Sequence, residues 1–155
     1  MEFLYPYESK LPEKQLMPES GQLCVRGYRK EKFIFNGIEK EVINPGWYPE
    51  DEPEGTYGIY SKEDQKQIHR NINRAKAEAE NLLLPEQIKE IREGLGLTQE
   101  QAAMKIGGGK NSFSRYESGD VLPSRSMSNL LRVLKDDPSK LDKILSFTLP
   151  TDYES

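Results

Sequence analysis

Asn111 and Arg115 are the two residues of this sequence whose types and spacing most directly suggest a chemical task. They lie four positions apart, so a helix through both would project their side chains from one face. Arginine can pair bidentately with the O6 and N7 atoms of guanine, and asparagine with the N6 and N7 atoms of adenine. The pair predicts a helix that reads bases in the major groove of double-stranded DNA.

The residues before this pair predict a helix followed by a turn. Thr98 and Gln101 have the spacing of a capping box, which predicts a helix from Gln99 to about Ile106. Gly107, Gly108 and Gly109 follow, and consecutive glycines favour a turn because they destabilise helix and permit positive φ.

A second short helix is predicted from Asn111 to Ser118, with Phe113 and Tyr116 facing inward. Ser112 is expected on the solvent side together with the base-reading pair. Near the starts of the two helices, four side chains are suited to phosphate contacts: Gln99, Lys110, Ser112 and Ser114.

An ordinary helical hairpin with a solvated Asn111 and Arg115 is the alternative interpretation of this segment. A glycine turn alone would favour that alternative. The complete pattern also contains a cap, small residues and an aromatic pair. In addition, Gly119 is suited to end the second helix, and Pro123 comes just before the next one. This combination favours a DNA-binding helix-turn-helix.

The second half of the chain is expected to form five short helices around one core. The predicted helices are Pro85 to about Gly94, Gln99 to Ile106, Asn111 to Ser118, Ser124 to Leu134, and Pro138 to Leu145. The predicted core is Ile88, Ile91, Leu95, Leu97, Ala102, Ile106, Phe113, Tyr116, Leu130, Leu131, Val133, Leu134, Leu141 and Ile144. Apolar surface left on the last two helices predicts a homodimer contact.

The first half is expected to contain a β-hairpin and a helix. Alternating apolar residues on both sides of Asn36-Gly37 predict two strands joined by a tight turn. Proline and glycine between Pro45 and Gly58 predict a loop. Ser61 and Asp64 predict the cap of a helix of about 20 residues, with a narrow apolar stripe of Ile68, Ile72, Ala75, Ala79 and Leu82. The alternating aromatics Phe3, Tyr5 and Tyr7 fit an edge strand, a partner-docking arm or a frayed terminus.

The expected fold class is therefore α+β. It consists of an N-terminal partner-binding region with a β-hairpin (1–60), a linking helix (61–84), a helix-turn-helix domain (85–146) and a tail (147–155). The net charge of −4 is unevenly placed. Basic and acidic residues nearly balance after Pro85, whereas acidic residues outnumber basic ones before it, so the DNA-reading part is near neutral and the N-terminal part suits a basic partner.

Composition excludes several classes of protein. No apolar run is long enough to span a bilayer, and the first 20 residues lack the pattern of a signal peptide. The chain has one cysteine, Cys24, and one histidine, His69, so it can form no intramolecular disulfide. We expect a cytoplasmic protein that is not an enzyme, has no catalytic or metal-binding residues and needs no cofactor, because the residues for such chemistry are missing.

The sequence GGGKNSFSRYESG and the following LPSRSMSNLLRVLKDDPSKL closely resemble the C-terminal domain of the MqsA family of bacterial antitoxins, within the wider Xre/Cro group of helix-turn-helix proteins. The resemblance covers about Pro85 to Ile144. It implies a dimeric domain that binds a palindromic operator, with Asn111 and Arg115 at the positions that read bases.

The resemblance is weaker before Pro85. There the family usually has a zinc-binding domain built on two CxxC pairs, and this chain has too few cysteines and histidines to form one. By position and hairpin pattern, we interpret the N-terminal part as a metal-free counterpart of the toxin-contacting domain.

Two functions follow from this interpretation. The first is an antitoxin that neutralises a protein toxin through its N-terminal part and represses its own operon by binding DNA as a homodimer. The second is a stand-alone helix-turn-helix transcriptional regulator without a toxin. An adjacent reading frame for a small basic protein would favour the first.

Overall fold

The computed structural model describes residues 10–52 and 57–144. Three strands form a sheet and are followed by helices, which confirms the α+β class. Strands β1, β2 and β3 span Lys14–Leu16, Leu23–Phe35 and Ile38–Pro49, and helices α1 to α5 span Lys62–Glu80, Pro85–Gly94, Gln99–Lys105, Ser112–Ser118 and Arg125–Asp136, before a 3-10 helix at Pro138–Lys143. Over the described ranges, no helix combines the length and apolar character needed to cross a membrane. The predictions for Phe3, Tyr5, Tyr7 and the tail lie outside these ranges.

The sheet is built on the predicted hairpin. Asn36 and Gly37 join β2 to β3 with φ values of +49° and +80°. Positive φ at both central residues is the requirement of a type I′ turn, which Asn-Gly meets at little cost. Strand β1 pairs antiparallel with β2 and places Leu16 opposite Leu23, giving the strand order β1-β2-β3.

The predicted loop from Pro45 is wrong over its first five residues, because β3 continues to Pro49. Strand β3 lies at the edge of the three-stranded sheet, where a proline removes no hydrogen bond that the sheet needs. The extended conformation also buries two aromatic side chains, since Trp47 is 2% and Tyr48 is 8% exposed.

The described chain divides into two compact units. The N-terminal unit contains residues 10–33 and 41–71, and the C-terminal unit contains residues 34–40 and 72–144. The division falls inside α1, rather than at either end of the predicted linking helix.

A buried ion pair holds the N-terminal unit together. Arg26 of β2 donates from Nη1 and Nη2 to the two carboxylate oxygens of Asp64 in α1, each at 2.6 Å. Their side chains are 2% and 0% exposed. Asp64 also accepts from the backbone N–H of Ser61, whose hydroxyl in turn accepts from the backbone N–H of Asp64, so the predicted cap of α1 is confirmed. The Asp64 carboxylate thus caps the start of α1 and also links α1 to strand β2.

Aromatic rings extend this cluster within the N-terminal unit. The Arg26 guanidinium lies 4.4 Å from the centre of the Trp47 ring, and that of Arg29 lies 4.2 Å from the centre of the Tyr48 ring. Such cation–π contacts are strongest when the cation is desolvated. The indole N–H of Trp47 donates to the carbonyl of Pro12 at 2.8 Å.

The C-terminal unit has the predicted helical core, with two corrections. Buried side chains from α2 to α5 and from the segment just before α2 form it: Leu83, Ile88, Ile91, Ala102, Ala103, Phe113, Tyr116 and Leu131. Val133 was expected in this core but is 54% exposed, because α5 turns Ser128, Leu131 and Leu134 inward along one stripe. The fifth predicted helix is a 3-10 helix of six residues that begins at Pro138, just after the end of α5, a place where 3-10 turns are common.

We expect Asp64→Asn to destabilise the N-terminal unit by about 3–5 kcal/mol, because it leaves the buried Arg26 cation without its counter-charge. Urea unfolding followed by the fluorescence of Trp47 measures this, since the chain has one tryptophan. Glu41→Gln is the matched control. It breaks an ion pair with Lys30 in which both side chains are well exposed, and it should cost at most about 1 kcal/mol. Equal losses for the two variants would contradict the role given to the buried pair.

Candidate nucleic-acid interface

Helix α3 begins at the predicted capping box. The Thr98 hydroxyl accepts from the backbone N–H of Gln101 at 3.1 Å, and the Gln101 side-chain oxygen accepts from the backbone N–H of Thr98 at 2.9 Å. Two amides that a helix start leaves unpaired are thereby satisfied. Ala102 and Ala103 are buried, so α3 packs closely on its neighbours.

The turn after α3 requires its glycines. Gly107, Gly108 and Gly109 have φ values of +118°, +100° and +103°, which L-residues rarely adopt. A Cβ on Gly108 would also lie 3.0 Å from Cβ of Ser112 and from the hydroxyl of Tyr116. The turn therefore has both a backbone and a packing reason for glycine at its centre.

Helix α4, the predicted recognition helix, packs through its aromatic pair. Phe113 and Tyr116 are buried as predicted, and their rings meet edge to face with centres 5.6 Å apart. Burial raises the pKa of Tyr116. Gly119 ends the helix in the left-handed conformation with φ of +86°, which is the usual glycine C-cap.

An ion pair between helices fixes the orientation of α4. Arg92 of α2 donates from Nε and Nη2 to the two carboxylate oxygens of Glu117, each at 2.8 Å. The same guanidinium donates from Nη1 to the carbonyl of Leu97, just before α3. The hydrogen bond to Glu117 is the main reason that the pKa of Arg92 is raised. One side chain thus joins α2, the start of α3 and α4.

The predicted base-reading residues lie together on the exposed side of this helix. Asn111 and Arg115 are both exposed, and the backbone N–H of Arg115 donates to the carbonyl of Asn111, one turn earlier, at 3.1 Å. Both residues line one open concavity together with Lys110 and Val121. Of the predicted phosphate contacts, Gln99, Lys110 and Ser114 are exposed as well.

Ser112 was expected on the same exposed side, and that expectation is wrong. Its side chain is buried, and its hydroxyl donates to the carbonyl of Gly107 at 3.3 Å. This hydrogen bond joins the glycine turn to the start of α4.

Sequence reasoning missed the Arg92–Glu117 pair. Its partners are 25 positions apart, and no local pattern connects them. One signal was available, because Glu117 follows the inward-facing Tyr116 and lies at the edge of the buried face of α4. A carboxylate at such a position needs a cation from a neighbouring helix.

The residues of this chain do not fit the zinc site that the resemblance would imply. Throughout the described ranges, no three His, Cys, Asp or Glu side chains are grouped so that they could hold a metal ion. Cys24 is buried in the N-terminal unit, and its burial raises the pKa of the thiol. A thiol with a raised pKa resists the deprotonation that metal binding requires.

The fold and this surface define a helix-turn-helix protein with an N-terminal β-sheet unit. Residues 23–145 match the family model described as the antitoxin component of bacterial toxin-antitoxin systems, MqsA. The chain therefore belongs to the MqsA antitoxin family. It is also 41% identical over 88 residues to the antitoxin MqsA of Escherichia coli (strain K12). That alignment covers 56% of this chain and 66% of the relative, so the chain spans just under two thirds of the relative's length.

We expect Gly108→Ala to destabilise the C-terminal unit by about 1–3 kcal/mol, because it forces a side chain into a strained conformation and against Ser112 and Tyr116. Gly94→Ala is the matched control. Gly94 ends α2 with no atom near its Cβ position, and alanine there should be neutral or stabilise by about 0.4–1 kcal/mol. Urea unfolding followed by far-UV circular dichroism compares them. A neutral Gly108→Ala would contradict the packing described for the turn.

Proposed function

We propose that this protein is an antitoxin that represses its own operon by sequence-specific binding to double-stranded DNA. The observation that carries the proposal is the exposed placement of Asn111, at the N-cap of α4, and Arg115, one helical turn later. In this proposal the α4 helix enters the major groove, Arg115 pairs with a guanine and Asn111 with an adenine.

Three exposed residues around the pair position the protein on the DNA backbone. Lys110 lies directly before α4, Ser114 lies on its exposed side, and Gln99 opens α3. Contacts of this kind fix register on the duplex without reading sequence. Ser112, a further candidate from the sequence, supports the proposal differently, because its hydroxyl joins the glycine turn to α4.

The DNA-binding unit acts as a homodimer on a palindromic operator. Support comes from α5, where Val133 is 54% exposed although the buried stripe of that helix faces the core. Leu130 and Leu141 are only partly buried. A second copy of the chain would cover this apolar surface, and two-fold symmetry would place the two α4 helices on half-sites about one DNA turn apart.

The N-terminal unit neutralises the toxin. Support comes from family membership and from the excess of acidic residues before Pro85, which suits a basic partner. A regulatory protein of this kind acts in the cytoplasm on its own promoter and on its toxin, without catalysis.

We expect Arg115→Ala to weaken binding to the operator by about 1–3 kcal/mol and to relax the preference at one base pair. Fluorescence anisotropy with the operator and with single-base variants measures both effects. Lys135→Ala, which removes an exposed cation of α5 outside the site, is the charge-matched control and should leave base preference unchanged. An equal loss on operator and random DNA would refute base reading by Arg115.

We expect the full-length protein to co-purify with the product of the adjacent reading frame and to suppress the toxicity of that product. Co-expression with an affinity tag on the neighbouring protein, followed by size-exclusion chromatography, tests this. If the protein instead shifts its promoter DNA but captures no neighbour, it is a stand-alone regulator and the toxin-neutralising part of the proposal fails.

A further inference from the structure

We call residues 119–121, which directly follow α4, the exit segment. Its backbone is bonded to the second half of α1. Asn73 of α1 donates from its side-chain amide to the carbonyl of Gly119 at 2.9 Å and to the carbonyl of Asp120 at 3.3 Å. All three residues belong to the C-terminal unit. The contact spans 46 positions of sequence, so it closes a long loop onto the end of α4.

The backbone amides of the exit segment bond to α4. The backbone N–H groups of Asp120 and Val121 donate to the carbonyl of Arg115 at 3.1 and 3.3 Å. The exit segment is therefore bonded to α4 through its amides and to Asn73 through its carbonyls.

The second half of α1 also forms several contacts with the rest of the C-terminal unit. Arg74 forms a bidentate ion pair with Glu86 at the start of α2. At the other end, Arg125 and Arg132 of α5 donate to the carbonyls of Glu80 and Asn81 at 2.8 and 2.6 Å. Cations favour a helix C-terminus, where carbonyls are left unpaired. Asn73 therefore projects from a helix that is tied to both α2 and α5 of the same unit.

The exit segment also carries part of the reading surface. Val121 is 38% exposed and lines the same concavity as Asn111 and Arg115. Any shift of the exit segment would displace Val121 and loosen the carbonyl of Arg115, to which its amides are bonded. A displacement of about 1 Å is enough to spoil a site that depends on bidentate geometry.

We propose that Asn73 is a positioning residue for DNA recognition: the linking helix, through Asn73, sets the place of Arg115 and Val121 at the base edges. This inference rests on the proposed operator binding and extends it to a residue outside the helix-turn-helix. The second half of α1 then contributes to DNA recognition, although it does not contact the DNA through Asn73 itself.

The test is Asn73→Asp in the full-length chain, with binding measured on a duplex covering its own promoter and on random DNA of equal length. Aspartate keeps the shape of asparagine but replaces the amide donor by a carboxylate facing two carbonyls. We expect roughly tenfold weaker binding to the promoter, because the displaced exit segment no longer holds Arg115 and Val121 in the geometry that pairing with a base requires, and little change on random DNA. A simple loss of folded protein would lower both affinities together, and that result would overturn the proposal.

The matched control is Asn71→Asp, on the same helix and two residues earlier. The Asn71 amide donates to the carbonyl of Ile43 and to the side-chain oxygen of Asn44, all within the N-terminal unit. This variant should leave promoter affinity unchanged. If it weakens promoter binding as much as Asn73→Asp does, the effect belongs to the helix as a whole and the proposal is wrong.

Hydrogen exchange without DNA separates this inference from the proposed function. We expect faster exchange of the Asp120 and Val121 amides in Asn73→Asp, with the Ile88 and Ile91 amides of α2 unchanged. Faster exchange with full promoter binding would overturn the positioning role while operator binding stands. If the unaltered protein does not prefer its promoter over random DNA, operator binding fails first and the positioning role falls with it.

Discussion

The contact between Arg92 and both carboxylate oxygens of Glu117 is the interaction on which the rest of the C-terminal unit depends. Helix α4 has seven residues, and so short a helix has little stability of its own in water. Its orientation must come from partners: the buried aromatic pair on one side and the guanidinium on the other. Because Arg92 also bonds the carbonyl of Leu97, it ties the start of α3 to the same point. Arg92 thus sets the angle between α3 and α4 together with the buried aromatic pair.

The N-terminal unit needs stabilising contacts besides apolar packing, since a small β-sheet cannot bury enough apolar surface to be stable alone. Small domains commonly add a metal ion or disulfides for this purpose. In this chain the Arg26–Asp64 ion pair supplies that stabilisation, and Arg26 also lies against the Trp47 ring. A member of the MqsA family can therefore have an ordered N-terminal sheet without the cysteine pairs that would bind zinc.

Local signals made much of the fold and of the site predictable. The capping box at Thr98 and the Asn36-Gly37 turn depend on residues within a few positions of each other, and the structure has both. The exposed placement of Asn111 and Arg115 follows from helical spacing alone. Two features did not follow from such signals. The Ser112 hydroxyl turns inward to the carbonyl of Gly107, which depends on the path of the glycine turn, and the partner of Glu117 is 25 positions away.

Helix α1 connects the two units, and its 19 residues extend over about 28 Å. A protease must hold its substrate in an extended form, so α1 has to unwind before it can be cleaved, and unwinding breaks the contacts of Asp64 in one unit and of Asn73 in the other. Cleavage within α1 therefore requires structure to be lost in both units, and the folded state protects this connection from proteolysis.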